Sequence, residues 1–301
     1  CAKCRPAVNY YLLVKYNDDK YTNDRRSALV NDRVSANIQK DGTYSVVPRI
    51  WGGVTSPKEL KDIADIAVKY DVPLIKFTGG QRLDMFGVTK EQLAPMWSDL
   101  NDCGFVSGQA YAKGLRTVKT CVGNTYCRFG TQDSMNMGVE IEKLTWGSWT
   151  PHKYKIAVSG CPRNCAEATI KDFGIIGVDS GWEIHIAGNG GIKVRVTDLL
   201  CKVETDEELF EYTKAFMQFY REDAYYLERT AHWIERVGFK YIKDVMLDTP
   251  KREYYAARFE ESQKSAQVDP WAKAIEDGFT KEFNKIVINP EESHSFEAKE
   301  I

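Results

Sequence analysis

Four cysteines in two close spacings are the residues of this sequence best suited to chemistry. Cys121 and Cys127 stand as C-x5-C in "VKTCVGNTYCRFG", and Cys161 and Cys165 as C-x3-C in "KIAVSGCPRNCAEATIKDFG". Four thiolates suit either a zinc ion or an iron–sulfur cluster. Structural zinc favours knuckles of C-x2-C to C-x4-C, from which the x5 spacing departs. A cubane several ångströms across tolerates a wider loop. Spacing therefore favours the cluster and leaves zinc, or unrelated thiols, open. A strand ending at Ser159-Gly160 leads into Pro162, which suits the first turn of a helix through "CAEATIKD". On such a helix both thiols share a face, and free backbone N–H groups point at anionic sulfur.

Arginine or lysine flanks almost every one of these cysteines. Between Lys113 and Lys171 nine Lys or Arg stand against four acids, a local charge of +5 in a chain whose net charge is −2. Such an excess suits an anionic cofactor or substrate, although a solvated basic face has the same composition. Nucleic acid is disfavoured, because the basic residues interleave with cysteines and β-like apolar runs instead of forming a stripe. Eight cysteines in 301 residues are too few for a disulfide scaffold. A reducing cytoplasm with free thiols fits better. No apolar run reaches the roughly 20 residues of a membrane span. The opening "CAKCRPAVNYY" has neither a basic n-region nor an apolar h-region, and is expected to be a cut within a longer polypeptide.

The elements that must position the cysteines are legible in outline, and the fold class expected is α+β. Tyr44–Ile50 reads as a strand. Ser56, Pro57 and Glu59 open a helix whose face is Leu60, Ile63, Ala64, Ala67 and Tyr70, and Leu74–Thr78 reads as the next strand. Thr89 with Gln92 opens a second helix ending near Gly104, bent by Pro95. From Lys153 the segments "KYKIAVSG", "FGIIGVDS", "WEIHIAG" and "GIKVRVT" predict an antiparallel sheet with turns at Asp179-Ser180-Gly181 and Asn189-Gly190-Gly191. Thr205 with Glu208 caps a long helix through "ELFEYTKAFMQFYREDAYYLERT". Residues beyond about 250 show no periodicity and read as a wrapping tail. Cys103 and Cys201 read as core residues.

The motifs "TCVGNTYC" and "SGCPRNC" together resemble the signature of the sirohaem and [4Fe–4S] nitrite and sulfite reductases. "DGTYSVVPRIWGG" and "TGGQRLDMFGV" resemble the ferredoxin-like half domain of that family. Within it, the chain is most similar to the C-terminal part of NAD(P)H-dependent nitrite reductase large subunits. The resemblance implies an N-terminal segment 1–35 left from an upstream [2Fe–2S] domain. A half domain 36–105, a sirohaem and [4Fe–4S] α+β domain 106–250 with an antiparallel sheet, and a tail 251–301 would follow. Cys1 and Cys4 would be the last two ligands of the upstream cluster, without a function here.

By the same resemblance Cys121, Cys127, Cys161 and Cys165 hold the [4Fe–4S] cluster, and Cys165 also bridges to the sirohaem iron. Arg49, Arg116, Lys153 and Lys155 surround the open face of that iron, where nitrite, or alternatively sulfite, is reduced. Lysines at i and i+2 of a strand project to the same side, so both can reach one anion. Sirohaem carries eight carboxylates, which would account for the positive segment. Thr78, Gln81, Arg82, Lys119, Arg128, Arg163, Asn189 and Lys193 are the candidates to contact them. His152 and His185 read as packing or satisfied histidines. The implied activity is six-electron reduction of nitrite to ammonium in the cytoplasm. Electrons would come from NAD(P)H through FAD and [2Fe–2S] modules outside this chain, with a small subunit as a further partner. Many relatives carry two copies of the half domain and cluster domain. This chain holds one, so a homodimer with shared sites is expected. An iron–sulfur carrier without catalysis and a zinc-stabilised binding module are the readings of other classes.

Overall fold

A computed structural model describes residues 37–109 and 113–276 of the chain. Cys1, Cys4 and the expected N-terminal segment lie outside the described residues.

The first unit is a sheet covered by two helices. Strands β1 (Asn37–Ile38), β2 (Tyr44–Val46), β3 (Leu74–Phe77) and β4 (Leu83–Val88) pair antiparallel in the order β1-β2-β4-β3. Helix α1 (Pro57–Lys69) starts at the expected capping box, Ser56 with Glu59, and α2 (Lys90–Asp102) at Thr89 with Gln92. Pro95 lies within α2. The β2 strand stops short of the expected Ile50, and from Pro48 the chain pairs only with the strand-like residues 106–108 before turning through Gly52 and Gly53. Val46, Met85, Met96, Trp97 and Leu100 form the centre of this core.

The second unit is a five-stranded sheet in the order β5 (Lys119–Thr120), β6 (Ile156–Ser159), β7 (Phe173–Val178), β8 (Gly181–Ile186), β9 (Asp198–Val203). The expected antiparallel sheet runs over β7–β9, while β5, β6 and β7 are mutually parallel. "GIKVRVT" is not a strand, and its Ile192, Val194 and Val196 face solvent. The strand that completes the sheet is the following "DLLCKV". Short helix α3 (Gly123–Tyr126) and helix α4 (Ser134–Thr145) fall between β5 and β6. Helices α5 (Asp206–Asp223), α6 (Thr230–Val237), α7 (Phe239–Leu247) and α8 (Thr249–Ala266) follow the sheet. Phe173, Phe216, Phe219, Trp233 and Phe259 lie in the core they share with it.

Two expectations are corrected here. The helix expected after Cys161 shrinks to one 3-10 turn at Ala168–Ile170: residues 161–167 are turns, with Asn164 and Glu167 in the left-handed region at φ 54° and 60°. The Asn164 side chain replaces the helix bonds, its Oδ1 accepting from Ala168 N–H at 2.6 Å. The second concerns the chain after 250, which is helical through α8 and α9 (Pro270–Glu276). Trp271 of α9 is fully buried in the first core, stacked on Trp97 at 5.5 Å. Cys103, expected inside, is exposed at the C-cap of α2, whereas Cys201 packs against the second core and burial pushes its thiol up to about 11.

Candidate cysteine and cation site

Parallel pairing sets the cysteines side by side. Thr120 of β5 lies opposite Val158 of β6, so Cys121 and Gly160-Cys161 leave the same ends of neighbouring strands. The Gly160 N–H donates to Cys121 Sγ at 3.2 Å, and Ser134 Oγ lies 3.2 Å from the same sulfur. Gly160 carbonyl oxygen accepts from the N–H groups of Thr131 and Gln132, at 2.8 and 3.1 Å. Glycine is required where the two loops touch. A Cβ on Gly160 would stand 2.8 Å from Gly123 Cα and from Gln132 O, too close for any carbon.

The loops meet a second time through Phe129. The Arg128 and Arg163 guanidinium carbons lie 4.7 and 4.0 Å from the centre of its ring. Arg128 follows Cys127 and Arg163 lies between Cys161 and Cys165, so both cysteine pairs border one region. All four thiols are free; Cys161 is buried and Cys165 exposed. Zinc–sulfur bonds of about 2.3 Å would draw four sulfurs close together. Among the described residues no group of three or more His, Cys, Asp or Glu is arranged to hold a metal ion. The two locked loops carry the free thiols, and one sulfur already accepts a backbone donor.

A cationic group lies on β6 and its approach. Leu115 and Tyr154 form a parallel bridge, and Arg116 N–H donates to Tyr154 O at 2.8 Å. Tyr154 is buried against Tyr220, while Lys153 and Lys155 on either side of it are only partly buried. Burial pushes both lysines down, and the Arg229 charge pushes them further; Arg116 adds to this at Lys153. His152 accepts from Lys153 N–H through Nδ1 at 2.7 Å, and burial with the adjacent cations pulls it from its ordinary 6.5 to about 4. It is therefore a neutral, oriented ring. The acid among these groups is Asp172, which the sequence reading did not single out.

Arg49 is set elsewhere. It is fully enclosed, its Nη1 bonded to Glu142 Oε1 at 2.6 Å, while its Nε and Nη2 have no hydrogen-bond partner. Glu142 Oε2 also accepts from Gly52 N–H and Val118 N–H at 2.7 and 3.0 Å, binding the first unit to the second. The charge felt most by Arg49 after Glu142 is Arg82. The structure thus groups Arg116, Lys153 and Lys155 with Arg229, and Arg49 with Arg82 and Glu142.

The remaining candidates are variously engaged. Gln81 exchanges two hydrogen bonds with the Thr120 backbone, both 2.8 Å, one residue ahead of Cys121. Thr78 closes a turn with Gln81 and Arg82. Lys119 pairs with Glu167, which also holds Lys171. Asn189 donates to Lys193 O, and Lys193 reaches Glu235 at 2.9 Å. His185 lies between Glu183 and Thr197, a satisfied histidine.

Known proteins resemble the chain over most of its length. Residues 111–252 match the model of the nitrite and sulphite reductase 4Fe-4S domain, and 37–103 that of the nitrite/sulfite reductase ferredoxin-like half domain. The Nitrite reductase [NAD(P)H] of Bacillus subtilis is 56% identical over 92% of this chain and 34% of its own. The Nitrite reductase (NADH) large subunit of Escherichia coli is 45% identical over 82% of this chain and 30% of its own. The chain thus spans about a third or less of the length of these relatives. The assimilatory-type sulfite reductase of Nitratidesulfovibrio vulgaris is 36% identical, over 70% of this chain and 95% of its own. In fold the chain is similar to the NirA protein of Mycobacterium tuberculosis, with a TM-score of 0.64 at 17% identity over 78% of this chain and 50% of that one.

Proposed function

The chain belongs to the nitrite and sulphite reductase family, and on that premise we propose that it reduces nitrite to ammonium at a sirohaem joined to a [4Fe–4S] cluster. The observation that carries this reading is the locking of the two cysteine loops, Gly160 N–H on Cys121 Sγ, at the far end of the strand that the Lys153 and Lys155 pair leads into. Cys121, Cys127, Cys161 and Cys165 would hold the cluster, and exposed Cys165 would be the sulfur shared with sirohaem. When bound, the coupled centre would supply the electrons for reducing the anion.

The protein's own part is electrostatic. Lys153 and Lys155 bind the incoming anion, and Arg116 holds it from the neighbouring segment. Half-buried lysines whose proton affinity is already reduced give up protons more readily than free ones, which suits them to supply the protons that carry oxygen away as water. Arg82, Arg128, Arg163, Lys119 and Lys193 offset the carboxylates of the macrocycle, with Thr78, Gln81 and Asn189 bonding nearby. Arg49, enclosed against Glu142, acts from inside the seam as a buried positive charge.

Electrons enter from NAD(P)H through upstream FAD and [2Fe–2S] modules. A small subunit, a homodimeric assembly and a cytoplasmic setting complete the proposal. No helix among the described residues is long and apolar enough to cross a membrane. Sulfite is the second substrate to consider, because the sulfite reductase of Nitratidesulfovibrio vulgaris is matched over nearly its whole length. The test is the absorption spectrum of the purified protein, alone and with nitrite or sulfite. A haem-like band that nitrite shifts is expected, and a colourless protein with stoichiometric zinc refutes the reading.

A further inference from the structure

Beneath the lysine pair lies one buried carboxylate. We propose that Asp172 is the positioning residue of the cation group. It ties the segment that carries Lys153 and Lys155 to Arg229 and Thr230, and supplies the counter-charge that faces those lysines. The inference rests on the anion-binding reading of the two lysines.

The geometry is that of a brace. Asp172 is fully buried immediately ahead of β7. Its Oδ2 accepts from Lys155 N–H and from Arg229 Nη2, both at 2.9 Å. Its Oδ1 accepts from Arg229 Nε at 3.2 Å, from Arg229 Nη2 at 3.0 Å and from Thr230 Oγ1 at 2.5 Å. Arg229 is the N-cap residue of α6, so the helix is joined to the backbone of residue 155 through this one carboxylate. The backbone repeats the link, with Phe173 N–H donating to Lys155 O at 3.2 Å. Moving Asp172 would move the segment from which both lysines project.

The charges make the arrangement more than a brace. Lys153 and Lys155 are faced by Arg116 from the preceding segment, by His152, by Lys171 from ahead of β7 and by Arg229 from α6; Tyr154 between them is buried. Burial and Arg229 push both lysines down, and Asp172 is the neighbour that holds both up. Removing the carboxylate and removing the guanidinium must then act on the lysines with opposite signs. A purely structural brace has no such sign: breaking it from either side loosens the same contact.

The experiment follows the lysine Cε signals of the full chain, labelled with ¹³C-lysine, through an alkaline NMR titration. Asp172→Asn is expected to lower the midpoints of Lys153 and Lys155, by about tenfold in proton affinity, and Arg229→Gln to raise them by a similar factor. In the cofactor-loaded enzyme the alkaline rise in KM for nitrite should begin earlier in the first variant and later in the second. Midpoints that stay put, or that move the same way in both variants, overturn the proposal. Should Asp172→Asn fail to fold by circular dichroism, Arg229→Gln decides alone, since only an upward shift supports the proposal. The underlying reading fails separately: a nitrite KM untouched by Lys153→Ala removes the anion site, while the titration still reports what Asp172 does.

Discussion

Gly160 shows how little space the site leaves. Its position between the two cysteine loops admits no side chain, since a single methyl would press on Gly123 Cα and Gln132 O at 2.8 Å. Gly160→Ala should therefore force the loops apart and lower bound iron several-fold, with far-ultraviolet circular dichroism unchanged; wild-type iron content in that variant would count against the loop geometry. His152 makes a different prediction. Its folded midpoint is about 4 and its unfolded one 6.5, so between these values the unfolded chain binds more protons. Stability from this residue is complete above about pH 6.5 and is lost as pH falls towards about 4. Thermal melts at neutral pH and near pH 4.5 should show His152→Gln losing less stability on acidification than the wild type does. Equal losses would mean that the ring is not held neutral.

The elements divide into those with local signals and those held by distant contacts. Capping boxes at Ser56, Thr89 and Thr205 start their helices where the sequence placed them, because a cap is completed within four residues. Helix α8 was not legible: of its 18 residues only Ala256, Phe259 and Gln263 are buried, too few to mark an apolar face. "GIKVRVT" misled in the opposite way, alternating like a strand while its apolar side chains stay in solvent. The site divides likewise. The cysteines announce themselves by spacing, whereas Glu142 meets Arg49 across 93 residues and Arg229 meets Asp172 across 57. Helix α9 supplies the test at this scale. Replacing buried Trp271 with alanine should cost about 3–5 kcal/mol and unfold the first unit preferentially. Denaturation followed by hydrogen exchange would show it, and uniform loss across both units would contradict it.

As a whole molecule the chain is two cores bound by Glu142, which reaches Arg49, Gly52 and Val118, and by the α9 helix. One copy carries both the cysteines and the cations, so shared sites in a homodimer are testable by mixing. An Arg116→Ala chain and a Cys165→Ser chain, each inactive, should regain up to a quarter of wild-type activity when refolded together if sites are shared. No recovery would assign each site to a single chain. The burial of Trp271 against Trp97 also bears on how the protein is born. At roughly 5–20 residues per second, a ribosome finishes residue 271 many seconds after residue 105. Throughout that interval the first core lacks its lid, and all four cysteines are made before it closes. Iron or tetrapyrrole delivered in that interval would meet a nascent chain whose halves are not yet sealed together.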